Sequence, residues 1–238
     1  MQFGVRENPG RYENLDYDND NAARGVLPMP TVIDPPATDN PVQRILLEGL
    51  SWQRFEQLSA CFEDSRAVRL TYLDGRLEIL SPIGPGHATL KRTIGYLLDA
   101  DLTVKGIRFY GRGGFTLKQP GRAAGEPDES YCIGADKPLP DLVIEVVVTH
   151  EALSKLPLYQ GLEIPEVWLW RNRDLEVYVL DPDGYRRGTR SRLLPDLDLA
   201  LLAAHARMPD QYDAVQAFRR AIGLDHNPGQ AAPASAHA

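Results

Sequence analysis

Two hydrophobic periods alternate along this chain and divide it into elements. The stretch "AVRLTYLDGRLEILSP" alternates apolar and polar residues on either side of Asp74-Gly75, the dipeptide that favours a tight hairpin turn. Upstream, "SWQRFEQLSACFEDS" spaces Trp52, Phe55, Leu58 and Phe62 at helical intervals, with Ser51 placed as an N-cap. Beyond the punctuation of "PIGPGHA", Leu90, Ile94, Leu97 and Leu98 share one face of a second helix. "IRFYG", "GFTLKQ" and "PDESYCIG" read as short strands. Residues 141–148, "DLVIEVVV", form a nearly unbroken branched apolar run, the pattern of a strand buried on both faces. A short helix from about Glu151 to Gln160 follows it. "EVWLWRN" and "LEVYVLDPDGYRR" supply strands joined by turns, and "DQYDAVQAFRRAIGL" a helix near the end. Strands crowd the middle and helices lie outside them, which predicts an α/β or α+β domain around one mixed sheet.

Neither period continues into the ends. Residues 1–42 are rich in Pro, Asn and Asp and read as an extended arm. Residues 225–238, ending "NPGQAAPASAHA", read as a flexible tail. The 43–224 stretch between them is one domain, and 238 residues with 43% hydrophobic side chains suffice for one full core. No apolar run is long enough to span a bilayer. The first residues lack a charged-then-apolar leader pattern. Cys61 and Cys132 lie far apart and outside any CxxC motif, so both read as buried reduced thiols of a cytoplasmic protein. The net charge of −7 argues against a nucleic-acid partner. Its distribution argues the other way: residues 66–122 hold ten Lys/Arg and four Asp/Glu between two acidic flanks. That block, with Arg108 and Arg112, is either a phosphate-attracting surface or a solvated face of scattered charges.

Glu145 breaks the apolar strand run, and a carboxylate there is costly unless it is paired or holds a cation. Asp128, in "GEPDESY", and Lys155, in the helix after the strand, can meet it near the strand's C-terminal end, where sites of α/β proteins gather. Two carboxylates and a lysine form a hydrolytic set. The carboxylates suit a hard divalent cation such as Mg²⁺, and the lysine can stabilise charge that grows on phosphorus. Plainer readings stand beside each role. Glu145 could form a structural ion pair, Asp128 could be a turn residue after Pro127, and Lys155 an ordinary surface lysine. Glu129 points to the other face of its strand, Lys137 is solvated, and Asp141 starts a strand. His87 opens a helix in a structural role. Trp168 and Trp170 alternate with Val167 and Leu169 and read as core.

The segment "EPDESYCIG…KPLPDLVIEVVVTHEALSKLPLYQGLEIPEVWLW" resembles the Uma-type family of restriction endonucleases, a branch of the PD-(D/E)XK nuclease superfamily. The shared pattern maps onto Pro127-Asp128, Glu145, Lys155 with Tyr159, and Pro165-Glu166-Val167-Trp168. Upstream, Gly75, Glu78, Ser81, Pro82 and His87 match a further family segment. The resemblance covers residues 48–190 and implies a restriction-endonuclease-like α/β fold, a mixed sheet flanked by helices. It implies a Mg²⁺- or Mn²⁺-dependent endonuclease acting on nucleic acid, with DNA the expected substrate and a homodimer an open expectation. Asp128, Glu145 and Lys155 would be its catalytic residues, and Asp128, Glu145 and, as a third carboxylate, Glu78 its metal ligands. The superfamily's lysine stands two residues after the glutamate. Here Val147 occupies that position and Lys155 takes the role from the next helix, as in the resembling family. The rival reading is a nuclease-fold binding or scaffold protein that cuts nothing.

Overall fold

The computed structural model describes residues 44–62, 65, 68–80, 85–147 and 155–224, with side chains of 85–87 left aside. The chain divides into Met1–Asp39 and Asn40–Ala238, and all the described residues belong to the second unit. The arm expected over 1–42 and the tail over 225–238 therefore lie outside the described residues.

The first elements are β1 (Arg44–Leu47), α1 (Trp52–Cys61), β2 (Arg69–Leu73), β3 (Arg76–Leu80) and α2 (Pro85–Val104). Ser51 caps α1 as expected, its side chain accepting from the Arg54 N–H at 3.4 Å. The β2–β3 hairpin turns through Asp74 at φ +45° and Gly75 at φ +86°, the left-handed pair that matches the twist of the two strands. Next come β4 (Phe109–Gly111), β5 (Leu117–Gln119), β6 (Ala123–Gly125), β7 (Glu129–Ile133) and β8 (Leu142–Val146). The last elements are α3 (Lys155–Gly161), β9 (Glu166–Arg171), β10 (Asp174–Asp181), β11 (Gly184–Gly188), α4 (Leu199–Ala206) and α5 (Gln211–Ala221). Residues 151–154 of the helix expected from about Glu151 to Gln160 lie outside the described residues.

The α/β fold is present, but its strands form two sheets rather than one. A five-stranded antiparallel sheet runs β1-β3-β2-β6-β5, and a six-stranded mixed sheet runs β11-β10-β9-β8-β7-β4. In the mixed sheet β8 and β9 are parallel and the other pairs antiparallel. A parallel pair needs a crossover, and the connection that contains α3 supplies it.

Period 2 explains the two faces of the mixed sheet. Ile144, Val146, Trp168 and Trp170 pack against Ile94, Leu97 and Leu98 of α2, Leu202 of α4 and Phe218 of α5. Both tryptophans are core residues, as their alternation predicts. Val143, Val167 and Leu169 face the other way, onto Leu158 and Tyr159 of α3 and Leu117 and Ala123 of the five-stranded sheet. A third cluster seats Phe55 of α1 on Tyr72, Leu77 and Ala124.

Three elements were not anticipated: β1, β6 and α4. The "AAG" of β6 has weak strand propensity, and its small residues serve close approach. A Cβ on Gly125 would lie 2.7 Å from Leu158 Cδ2, so the absence of a side chain lets α3 settle on β6. Cys132 is buried as expected, but Cys61 is exposed at the end of α1, which corrects its reading as a buried thiol. Its helix is amphipathic and the residue falls on the outer side. Among the described residues no helix is long and apolar enough to cross a membrane.

Candidate active site

Asp128 and Glu145 meet because of strand register. β7 pairs with β8 so that Glu129 lies opposite Ile144. One further step along the same register sets Asp128 opposite Glu145, and directly opposed residues share a face. That face is the one covered by α3. Glu129 points to the opposite face, toward Arg92 of α2 at 3.8 Å, as expected. Burial raises the pKa of the Glu129 carboxyl, and Arg92 opposes the rise.

Both carboxylates are removed from water, Asp128 being 1% and Glu145 4% exposed. Glu145 Oε1 accepts from Lys155 Nζ at 3.0 Å and from the Tyr159 hydroxyl. Lys155 and Tyr159 stand four residues apart at the start of α3, so one helix face delivers both donors. Asp128 Oδ1 accepts from Arg69 Nη1 of β2 at 2.8 Å, and its Oδ2 from the Val146 N–H at 2.9 Å. Among the described residues, Asp128, Glu145, Arg69 and Lys155 thus form a set of paired charges between the two sheets. Burial without such partners would cost several kcal/mol per ion.

The electrostatics carry a directional signature. Burial pushes the Glu145 pKa up, Lys155 holds it down, and the nearby Asp128 charge pushes it up again. The Tyr159 hydroxyl is held well above its usual range, first by burial and then by the Glu145 charge, so it acts as a proton donor in hydrogen bonding. Burial disfavours the charge on Arg69, but the charge and hydrogen bond of Asp128, together with the Glu126 and Glu145 charges, outweigh it and its pKa rises.

The donors fit a hard divalent cation. Two buried carboxylates on one sheet face offer oxygen ligands, and Mg²⁺ is commonly held by one or two carboxylates while waters and substrate phosphates complete its shell. Among the described residues no group of three or more His, Cys, Asp and Glu side chains is arranged to hold a metal. Glu78, expected as the third carboxylate, lies on β3 of the five-stranded sheet, where it pairs with Arg44 of β1. The structure brings Asp128, Glu145 and Lys155 together and leaves Glu78 outside that cluster. The ring of His87 is not among the described side chains.

Two further residues belong to the site. Tyr159 stands in the quoted motif without a role, although its spacing from Lys155 places both on one helix face. Arg69 carries no local signal, because its partner is 59 residues away in sequence. The basic block of 66–122 is largely committed to ion pairs: besides Arg69, Arg112 pairs with Asp136 and Lys105 with Asp101. Lys137, expected to be solvated, binds Asp141 at 2.6 Å.

No curated protein matches the chain. The Uma2 family model, described as "Putative restriction endonuclease", matches residues 52–204, a span that takes in α1, the α3-facing carboxylates, Lys155 and the whole mixed sheet up to α4. With more than half of its length inside that match, and with a restriction-endonuclease-like α/β fold, the chain belongs to the Uma2 family.

Proposed function

We propose that this protein is a metal-dependent endonuclease that hydrolyses phosphodiester bonds of nucleic acid, with DNA as the expected substrate. The supporting observation is the convergence of Lys155 with two buried carboxylates, one on β8 and one just before β7, 3.0 Å from the first. Asp128 and Glu145 would hold Mg²⁺ or Mn²⁺, and the ion would supply a polarised phosphate oxygen and a more acidic bound water. Arg69 and the Val146 N–H fix the Asp128 carboxylate from two sides. Tyr159 fixes Glu145 in the same way, leaving Lys155 as the group able to exchange a carboxylate for a phosphate oxygen. A lysine placed there stabilises negative charge that grows in the transition state.

One observation favours a non-cutting nuclease-fold protein. Arg69 and Lys155 each pair with one of the two carboxylates, as in a structural ion-pair network. Kinetics of Lys155→Ala separate the two readings. An enzyme should keep its Mn²⁺ affinity and lose about a hundredfold in cleavage of a mixed panel of single- and double-stranded substrates. Equal cleavage by wild type and variant removes Lys155 from catalysis. Metal binding without cleavage by the wild type favours the non-cutting protein.

A further inference from the structure

Among the described residues the two sheets end in four edge strands: β1 and β5 in one, β11 and β4 in the other. Proteins guard such edges with charge, proline or brevity, because an open edge invites pairing with another chain. Three of these four are guarded. β5 is three residues long, carries exposed Lys118 and is followed by Pro120. β11 carries exposed Arg186 and Arg187. β4 is three residues long and flanked by Arg108 and Arg112. β1 differs. Its sequence is Arg-Ile-Leu-Leu, with Ile45 54%, Leu46 52% and Leu47 39% exposed. Half of the six exposed large apolar side chains among the described residues fall in this one short strand.

We propose that β1 is a homodimer interface, in which two copies of the chain join their five-stranded sheets edge to edge through antiparallel β1 strands. The occupant is a second copy because the strand complements itself. Residues directly opposed in an antiparallel pair direct their peptide groups in the same sense, so a two-fold pairing must centre on a residue. Centred on Leu46, it sets Leu46 against Leu46, Ile45 against Leu47, and Arg44 against Glu48 of the second copy. Every apolar residue then meets an apolar residue, and at both ends Arg44 and Glu48, which pair with Glu78 and Arg76 within one copy, come to lie opposite each other. Centred on Ile45, the pairing sets Arg44 against Leu46, and the complementarity is lost.

Alternation fixes what lies on each side of the joined sheet. Ile45 continues the β1–β3 register with Ile79, which packs toward α1, so Ile45 and Leu47 of both copies form a four-residue apolar cluster on that side. Leu46 continues with Glu78 and Thr71 on the side of Arg69. The two-fold axis stands perpendicular to the sheet, so both copies carry the Arg69 face on the same side. This inference does not depend on cleavage or on a bound metal.

Sedimentation velocity of the full chain over a concentration series tests it. Wild type should sediment as a dimer, and Leu46→Lys, which sets two like charges on the axis at a half-exposed position, should sediment as a folded monomer. Disulfide trapping reads the register. With the exposed Cys61 replaced in Cys61→Ser, Leu46→Cys should oxidise to a covalent dimer, since opposed strand residues lie within disulfide reach. Ile45→Cys, opposite Leu47, should not. A wild type that is monomeric at every concentration overturns the proposal. Slow maleimide labelling of Leu46→Cys in such a monomer would identify another part of the same chain as the cover. A dimer that survives Leu46→Lys, or one trapped through position 45, overturns the interface or its register.

Discussion

Glu145 and Glu166 stand on adjacent parallel strands, both buried, both within apolar runs, yet they occupy opposite faces of the mixed sheet. On the helical side, Glu166 accepts from Trp168 Nε1 at 2.6 Å and from the Arg192 and Leu193 N–H groups at 2.8 and 3.3 Å. Those donors are neutral. They tie the loop before α4 to the sheet. On the α3 side, Glu145 faces a lysine, a tyrosine and a second carboxylate. Its partner Lys155 is a cation at the start of a short helix, so a divalent ion could replace it on Glu145 and a phosphate could draw it away. The lesson is that the cost of burying a carboxylate does not mark a site. The kind of donor that offsets the cost does.

Removing each glutamate in turn sharpens that contrast. The largest effect is expected for Glu166→Ala, which strands three buried donors, each worth about 1–3 kcal/mol when left unpaired. Urea unfolding should show a loss of about 4 kcal/mol. A loss below about 1 kcal/mol would mean that Glu166 is no clamp. Glu145→Gln should act on binding instead: calorimetric titration with Mn²⁺ should lose about a hundredfold in affinity while circular dichroism stays native. Unchanged affinity would remove Glu145 from the site and make the two glutamates alike.

Tyr159→Phe probes the donor that orients Glu145. One hydrogen bond to a carboxylate is lost, so stability should fall by about 1.5 kcal/mol and Mn²⁺ affinity by about tenfold. An affinity loss as large as that of Glu145→Gln would promote the hydroxyl to a direct role. The smallest effect concerns pH. The Glu145 pKa is raised in the folded state, chiefly by burial. Its contribution to stability is therefore complete below the ordinary glutamate value and is lost as pH rises through the raised one. Glu145→Gln should flatten the stability profile in that interval, without metal, by equilibrium unfolding at stepped pH. A profile parallel to wild type would show that Lys155 fully compensates the burial.

Much of this architecture was legible in local pattern. The alternation about Asp74-Gly75 set the hairpin, the 3.6-residue spacing of Ile94, Leu97 and Leu98 set the buried stripe of α2, and the run 142–146 set the central strand. Motif resemblance singled out Asp128, Glu145 and Lys155. These signals depend on neighbours within a turn or a strand, where covalent geometry fixes who can face whom. The division into two sheets was not readable, because the partner of each strand is chosen by contacts between distant segments. β6 illustrates it: Ala-Ala-Gly, of weak strand propensity, is a strand through its pairing with β2 and β5, and its small residues admit α3. Arg69 entered the site in the same way, across 59 residues of chain. Glu78 stood in the upstream motif segment as a third carboxylate, and tertiary packing gave it to Arg44. The sequence by itself determined the periods, the turns and which carboxylates lie within apolar runs. The tertiary structure decided which charges neutralise which, because an ion pair forms by proximity in space and leaves no periodic trace along the chain.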